Sequence, residues 1–209
     1  FKPLNTGHID ERVSCIREYV ANIYFYTKDG YTIMIDAGYN YDKLAEKMRW
    51  LDIRPESINE IIVTHQDTDH VGAIEVDSQG LFKTAKIYVG RVENEYLEGR
   101  VRRKVYWGLY KLPQVHIEND KTLIEDGEIF YIHDIKIEAF LVPGHTWGHL
   151  VYLIDDAYLF TGDTIWFGAD GGYAFLNTLA EDRKLQSVSL KRLEEKLRKR
   201  NLSLKIITG

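Results

Sequence analysis

The stretch Ile61-Ile62-Val63-Thr64-His65-Gln66-Asp67-Thr68-Asp69-His70 carries the strongest chemical signal in this sequence. An apolar, strand-like run leads directly into two imidazoles and two carboxylates. Side chains at i and i+2 of an extended segment project to the same side, so His65 and Asp67 can hold one cation while Asp69 and His70 face a second. Four ionisable groups this close together are costly without a metal between them. The stretch therefore predicts a two-metal site.

The alternative is a solvated polar loop in which Asp67 or Asp69 caps a helix by accepting backbone N–H groups. Two later segments favour the metal site. Pro143-Gly144-His145-Thr146-Trp147-Gly148-His149 and Thr161-Gly162-Asp163-Thr164 also follow apolar, strand-like runs. Loops at the ends of rigid strands can converge on one place, so we expect the three clusters to meet.

With these motifs the chain resembles the metallo-β-lactamase superfamily of metal-dependent hydrolases. The usual signature of that superfamily is H-x-H-x-D-H, then P-G-H-T-x-G-H, then G-D, and a last histidine after a C-terminal strand. The segment Ile33 to Gly38 also resembles the superfamily's early strand and D-x-G turn. The resemblance covers nearly the whole chain. It implies an α/β (α+β) fold, the four-layer αββα sandwich in which helices cover two packed sheets.

The ends of the sequence depart from this signature. We expect a single domain over residues 1–209, with residues missing at both ends. The sequence begins with Phe1 rather than Met, and it stops at Gly209, where the superfamily's last ligand histidine is expected.

The resemblance also implies the metal ligands and the catalytic groups. Asp69 or Asp163 would orient the attacking water and pass on its proton. His149 and Asp36 match supporting positions rather than ligands. The implied ligands are His65, Asp67 and His145 for the first metal, and Asp69, His70 and Asp163 for the second, with Asp163 bridging both. His8, His116 and His133 belong to no motif, and we expect ordinary surface or hydrogen-bonded roles for them.

Position 67 departs from the superfamily's commonest pattern, because it is Asp where His is usual. The change adds a negative charge and replaces a nitrogen ligand with oxygen. We expect two divalent metal ions, with zinc first and iron or manganese as alternatives. The flavodiiron proteins of the same fold have Glu at this position, which is a partial likeness.

The constellation supports hydrolysis, because a pair of divalent ions activates water. The resemblance implies a hydrolase of an ester, thioester, lactone, amide or phosphodiester, since the superfamily is mostly hydrolytic. The alternatives are a di-iron redox protein of flavodiiron type and a metal-binding module without turnover. Loops such as 91–120 and 165–178 would select the substrate, which the motifs leave open.

Composition agrees with a small-molecule enzyme. The 209 residues are 44% hydrophobic, enough for a large core. The net charge of −5 gives no general attraction to nucleic acid or to anionic membranes. Cys15 is the only cysteine, so no internal disulfide can form and a reducing cytoplasm is expected. The oligomeric state stays open.

Periodicity and turn residues predict the elements. Helix 181–200 is expected to bury a face of Leu185, Val188, Leu193 and Leu197. Strands are predicted at 14–26, 31–36, 57–64, 86–89, 128–133, 135–142, 150–154, 157–160 and 202–207, and helices at 40–50, 70–79 and 181–200.

Two segments allow two interpretations each. Within 91–120 a cluster of basic residues is followed by aromatic residues. The stretch is either a cap over the site that recognises an anionic or aromatic substrate, or an amphipathic helix with a solvated face. The residues concerned are Arg100, Arg102, Arg103, Lys104, Tyr106, Trp107 and Tyr110. The glycine-rich segment 166–173 predicts a mobile loop whose Trp166, Phe167 or Tyr173 lines the pocket or fills the core.

Overall fold

The structure is a computed structural model that describes residues 3–106, 108–167, 173–174 and 179–209. The chain divides into two compact units. The N-terminal unit comprises residues 3–89 and 115–122, and the C-terminal unit comprises the described residues of 90–114 and 123–209. In the described part of the chain, no helix is long and apolar enough to cross a bilayer.

The described elements are mainly strands. The strands are β1 (Gly7–His8), β2 (Val13–Arg17), β3 (Asn22–Lys28), β4 (Tyr31–Ile35), β5 (Glu60–Val63), β6 (Lys86–Gly90), β7 (Lys104–Val105), β8 (Tyr110–Lys111), β9 (Lys121–Ile124), β10 (Ile129–Ile132), β11 (Ile135–Leu141), β12 (Leu150–Ile154), β13 (Tyr158–Phe160), β14 (Trp166–Phe167), β15 (Tyr173–Ala174) and β16 (Lys205–Ile207). The α-helices are α1 (Leu44–Trp50), α2 (Thr68–Val71), α3 (Arg91–Leu97) and α4 (Arg183–Arg198), and short 3-10 turns cover Pro55–Ser57, Gly72–Ile74 and Gly162–Thr164.

The N-terminal unit is built on a sheet of order β1-β2-β3-β4-β5-β6-β9. Strands β2 to β4 are antiparallel, whereas β4, β5 and β6 run parallel. Residues Ile61, Ile62 and Val63 of β5 are fully buried, as expected for a strand inside a parallel region. Parallel strands end at the same edge, so the turn after β4 and the loop after β5 lie side by side.

The C-terminal unit contains a sheet of order β10-β11-β12-β13-β16. Strand β16 pairs in parallel with β13, and the other neighbours are antiparallel. Helix α4 covers this sheet, and its Leu193 and Leu197 pack in an apolar cluster with Phe140, Val151 and Leu159.

Three predicted elements were wrong in detail. The strand 14–26 is two paired strands, β2 and β3, because the chain turns back where the Glu18 N–H donates to the Ala21 carbonyl. The helix 70–79 is replaced by α2 and one 3-10 turn. On α4, Val188 is 44% exposed, and the buried face instead combines Leu193 and Leu197 with polar Gln186 and Ser189. The other predicted elements are found within four residues of their expected bounds.

The described residues of 91–120 do not form the amphipathic helix. They contain the short helix α3 and the hairpin β7–β8, in which the rings of Tyr106 and Tyr110 meet edge to face at 5.8 Å. Arg103 is buried rather than solvated. The described residues do not include Trp107 or residues 168–172. Trp107 belongs to the predicted cap or helix within 91–120, and residues 168–172 belong to the predicted loop 166–173.

Candidate metal centre

The loop after β5 buries both of its imidazoles completely. His65 and His70 have no exposed surface, and their ring centroids lie 4.1 Å apart. Asp67 occupies the N-cap position of α2, but its side chain makes no cap hydrogen bond. Its Oδ1 accepts from the Gln66 side-chain amide at 2.6 Å. The helix-cap interpretation is therefore wrong for Asp67.

One carboxylate, Asp36, organises this loop from the turn after β4. Its Oδ1 accepts the Thr64 backbone N–H at 2.7 Å, and its Oδ2 accepts the Thr64 hydroxyl at 2.7 Å. The same Oδ2 lies 2.8 Å from Nδ1 of His70. Asp36 itself adopts a left-handed conformation with φ of 58°, which turns the chain sharply at the strand end.

These hydrogen bonds determine the tautomers of both histidines. A carboxylate only accepts, so Nδ1 of His70 carries a proton and donates it to Asp36. The Thr64 hydroxyl already donates to Asp36, so it accepts from Nδ1 of His65, 3.0 Å away. When both Nδ1 atoms hold protons, the neutral rings present their lone pairs at Nε2. Hydrogen bonds of this kind orient histidine ligands in metal sites.

The spacing of the remaining ligand atoms fits a cation. Nε2 of His65 lies 3.6 Å from Oδ2 of Asp67, and Nε2 of His70 lies 3.8 Å from Oδ2 of Asp69. Two ligands on a tetrahedral zinc, each about 2.1 Å from the metal, are separated by about 3.4 Å. Both pairs are too far apart for a hydrogen bond, but they are close to the distance between two ligands of one ion.

Within the C-terminal unit, Nε2 of His145 and Oδ2 of Asp163 lie 3.6 Å apart. Asp163 lies on the 3-10 turn after β13, where the Thr161 N–H donates to the Ile207 carbonyl of β16. The imidazole of His149 is fully buried and meets the His145 ring edge to face at 5.9 Å. The distance between Nε2 of His145 and Oδ2 of Asp163 is also close to the separation of two ligands on one ion.

The turn that carries His145 is fixed by the start of α4. The Glu181 N–H donates to the His145 carbonyl at 3.1 Å, and the Asp182 N–H donates to the Gly144 carbonyl at 2.9 Å. Gly144 has φ of 142°, and a Cβ there would lie 2.4 Å from the backbone nitrogen of Gln186. Only glycine fits this close approach.

Comparison with known proteins identifies the family. The family model for the metallo-beta-lactamase superfamily matches residues 16–201. The chain belongs to the metallo-β-lactamase superfamily. The solved structure of a Cronobacter sakazakii metallo-beta-lactamase with a HARLDQ motif superposes on this chain with a TM-score of 0.68 at 18% identity, and the match covers 93% of this chain and 70% of that one. This likeness confirms the predicted αββα fold class.

Two curated relatives in the superfamily are named as hydrolases. The probable polyketide biosynthesis zinc-dependent hydrolase BaeB of Bacillus velezensis is 29% identical over 150 residues, which cover 72% of this chain and 56% of that protein. The hydroxyacylglutathione hydrolase of Buchnera aphidicola is 29% identical over 141 residues, which cover 66% of this chain and 44% of that protein. The chain thus spans about half the length of these relatives.

Sequence reasoning missed several buried polar residues of this superfamily member. Thr64 links Asp36 to His65, as described above. In the C-terminal unit, the Glu93 carboxylate is fully buried and accepts the Thr146 hydroxyl at 2.8 Å, beside His145. Arg103 places Nη2 at 3.3 Å from Nε2 of His145. The apolar run before Thr64 could have indicated that this residue is buried at the end of a strand. No local feature of the sequence indicates that Glu93 or Arg103 is buried.

A second buried carboxylate, that of Glu18, packs against the residues that follow Asp36. Glu18 is 7% exposed, and its Oε2 accepts the Tyr39 N–H while its Oε1 has no hydrogen-bond partner among the described residues. Burial raises the pKa of Glu18 to about 7, against the opposing effect of the Tyr39 N–H. Glu18 lies against Gly38, where a Cβ would meet its carboxylate.

Proposed function

We propose that this chain is the metal-binding domain of a hydrolase that uses two divalent ions, zinc in both positions, to cleave an ester, thioester, lactone, amide or phosphodiester. The proposed ligands are His65, Asp67 and His145 for one ion and Asp69, His70 and Asp163 for the other, with Asp163 as a ligand of both. The observation that carries the proposal is the Asp36 network, in which Nδ1 of His65 and of His70 is hydrogen-bonded, and this supports Nε2 as the metal-binding atom of both rings.

Two further points support the proposal. Three His–Asp pairs, two in the N-terminal unit and one in the C-terminal unit, have N···O spacings between 3.6 and 3.8 Å, which suit shared ions. Membership in the superfamily, whose relatives include a protein named as a zinc-dependent hydrolase, supports zinc and hydrolysis.

When bound, the two ions would lower the pKa of a metal-bound water and polarise the carbonyl or phosphoryl group to be attacked. The protein's own carboxylates would handle the protons. Asp69 has a side chain that is 22% exposed, so it can exchange a proton with solvent. Asp163 is only 8% exposed and is suited to hold the water in place. We therefore assign proton transfer to Asp69 and water positioning to Asp163.

The reaction proposed adds the water oxygen to the acyl or phosphoryl centre and breaks the bond to the leaving group, which takes the bonding electron pair. One proton of the water goes to the leaving group through Asp69, and the other goes to solvent. The substrate proposed is a small molecule rather than a nucleic acid or a membrane lipid, and a cytoplasmic location stays a prediction.

Asp67 favours a second candidate, a di-iron redox protein. Its carboxylate oxygen is a harder ligand than the imidazole nitrogen usual at this position, and harder ligands suit iron better. The deciding experiment is elemental analysis of purified protein together with hydrolysis assays on model esters, thioesters, lactones, amides and phosphodiesters. Two zinc ions per chain with turnover of one substrate class support the hydrolase. Two redox-active irons without hydrolysis would support the second candidate and overturn the first.

A further inference from the structure

The β7–β8 hairpin is anchored beside the proposed metal ligand His145. Arg103, the residue before β7, is buried, and its Nη2 lies 3.3 Å from Nε2 of His145. The Lys104 N–H donates to Oε1 of Glu181 at 2.9 Å, and the Leu112 N–H donates to the Arg103 carbonyl at 3.1 Å. Glu181 donates its own N–H to the His145 carbonyl. Both ends of the hairpin are therefore held next to the turn that carries His145.

Two lysines at the base of the hairpin are placed side by side. Lys104 and Lys111 are directly opposite each other in the antiparallel ladder, so their side chains project from the same face. Both are exposed, and neither ammonium has a hydrogen bond or an ion pair with the part of the chain that the structure describes. Like charges in this position repel and weaken the pairing of the strands. An anion held between the two lysines would remove that repulsion.

The positive charge of this region contrasts with the acidic chain. Residues 99–117 contain five basic residues and no acidic residue, whereas the whole chain has a net charge of −5. Arg102 is exposed two residues before Lys104, and its guanidinium also has no ion pair among the described residues. A negatively charged ligand is therefore attracted to the hairpin more strongly than to the rest of the surface.

The end of the hairpin exposes large apolar side chains. Leu109 is 76% exposed and Tyr110 is 64% exposed. The Tyr110 ring meets the Tyr106 ring edge to face at 5.8 Å, so these side chains form a group rather than isolated contacts with solvent. Single exposed apolar residues are ordinary, but an exposed group with polar residues at its border is typical of a binding surface. The hairpin thus offers apolar contacts next to its cations.

We propose that the β7–β8 hairpin binds the substrate through two parts of it. A negatively charged group lies between Lys104 and Lys111, and an apolar group packs on Leu109 and Tyr110. That this ligand is the substrate rests on the proposed hydrolase function, because the hairpin is anchored beside the metal ligand His145. The proposal narrows the substrates to molecules that carry both an apolar group and an anionic group outside the bond to be cleaved.

The charge part of the proposal is tested with two fluorescent probes that share the same rings. Anilinonaphthalene sulfonate carries a negative charge, and phenylnaphthylamine is uncharged. Dissociation constants are measured by fluorescence titration of the full chain, with and without zinc. We expect the double variant Lys104→Gln, Lys111→Gln to weaken binding of the sulfonate by about 3- to 10-fold and to leave binding of the uncharged probe within about twofold of wild type.

The matched control is the double variant Lys184→Gln, Lys191→Gln, which removes two exposed charges from α4 in the same unit. Lys191 also borders an apolar cleft beside α4, so this control reports a probe that binds there instead of at the hairpin. We expect no change with either probe. The proposal is overturned if wild type binds neither probe, if the hairpin variant binds the sulfonate as wild type does, or if the control loses as much affinity as the hairpin variant.

Leu109→Ser tests the apolar contact, and Val188→Ser, an exposed change on α4, is its control. We expect Leu109→Ser to weaken both probes by about threefold or more, because both bury the same rings against the hairpin. Unchanged binding of both probes to Leu109→Ser would contradict the proposal. Zinc affinity, measured by competition with a chelator, should not change in any of these variants. Failure of wild type to bind zinc would instead overturn the proposed function, while the titrations without zinc still test the hairpin.

Discussion

Nδ1 of His70 lies 2.8 Å from Oδ2 of Asp36, and the same oxygen accepts the Thr64 hydroxyl, which lies 3.0 Å from Nδ1 of His65. A single carboxylate from the turn after β4 thereby determines which nitrogen of two imidazoles is available to a metal.

Asp36→Asn replaces one acceptor oxygen with an amide donor that faces Nδ1 of His70 or the Thr64 hydroxyl. We expect the zinc dissociation constant to rise by about 10- to 100-fold, because the ligand rings lose their orientation. Chelator competition measures this effect. Asp77→Asn, an exposed change in the same unit, is the control. Equal zinc affinity in Asp36→Asn and wild type would contradict the tautomer argument.

Thr64→Val removes the hydroxyl that links His65 to Asp36 but keeps the shape of the side chain. We expect weaker zinc binding and a free energy of unfolding lower by about 1–3 kcal/mol, since His65 Nδ1 and Asp36 lose a buried partner. Thr64→Ser restores the hydroxyl and should recover most of both losses. Urea unfolding and zinc titration together measure the two effects, and a serine variant as impaired as the valine variant would argue against the relay.

Asp67→His removes the additional negative charge and supplies a nitrogen ligand. We expect zinc to be favoured more strongly over manganese and iron in this variant. Asp67→Asn removes the charge without supplying nitrogen and separates the two effects. Competition between metals, followed by elemental analysis, gives the selectivity. An unchanged preference in Asp67→His would show that this residue does not bind the metal.

Gly144→Ala places a Cβ within 2.4 Å of the Gln186 backbone at the start of α4. The turn that holds His145 must then move, so we expect a clear loss of thermal stability together with weaker zinc binding. Gly7→Ala is the control, because a Cβ at Gly7 meets nothing within 4 Å. Thermal unfolding followed by circular dichroism should separate the two variants, and similar melting temperatures would contradict the close packing of this turn.

Glu18 makes stability depend on pH. Because burial raises its pKa in the folded protein to about 7, from an ordinary value near 4.5, the folded state binds the proton more tightly. Its contribution to stability is fully present below about pH 4.5 and is lost as the pH rises through about 7. The loss amounts to roughly 3 kcal/mol. Glu18→Gln should flatten the dependence in this window, as measured by urea unfolding at pH 5 and pH 8. A wild type whose stability does not fall relative to the variant would contradict the raised pKa.

The sequence predicted the elements whose signals are local. The loop after β5 combines an apolar run with four ligand-type residues in a short stretch, and its placement at a strand end is confirmed. The two-strand arrangement within 14–26 was missed, because the turn at Glu18 to Ala21 lacks glycine and proline. Val188 was assigned to the buried face of α4, although the face that packs depends on the sheet it covers.

The partners of Arg103 were also beyond sequence reasoning. Its contacts come from Leu179, Glu181 and His145, which are far away in the chain. A basic residue beside aromatic ones is typical of a solvated helix, so the local pattern indicated exposure where the fold produces burial. Only tertiary packing distinguishes Arg103 from its exposed neighbour Arg102.

The central claim is that the protein binds metal through Nε2 of His65 and His70. Anomalous diffraction at the zinc edge, on crystals of zinc-loaded protein, tests it most directly. We expect two zinc peaks, with Nε2 of His65 about 2.0–2.1 Å from one and Nε2 of His70 at a similar distance from the other. Zinc bound through Nδ1, zinc at other residues, or no peak at these histidines would contradict the account.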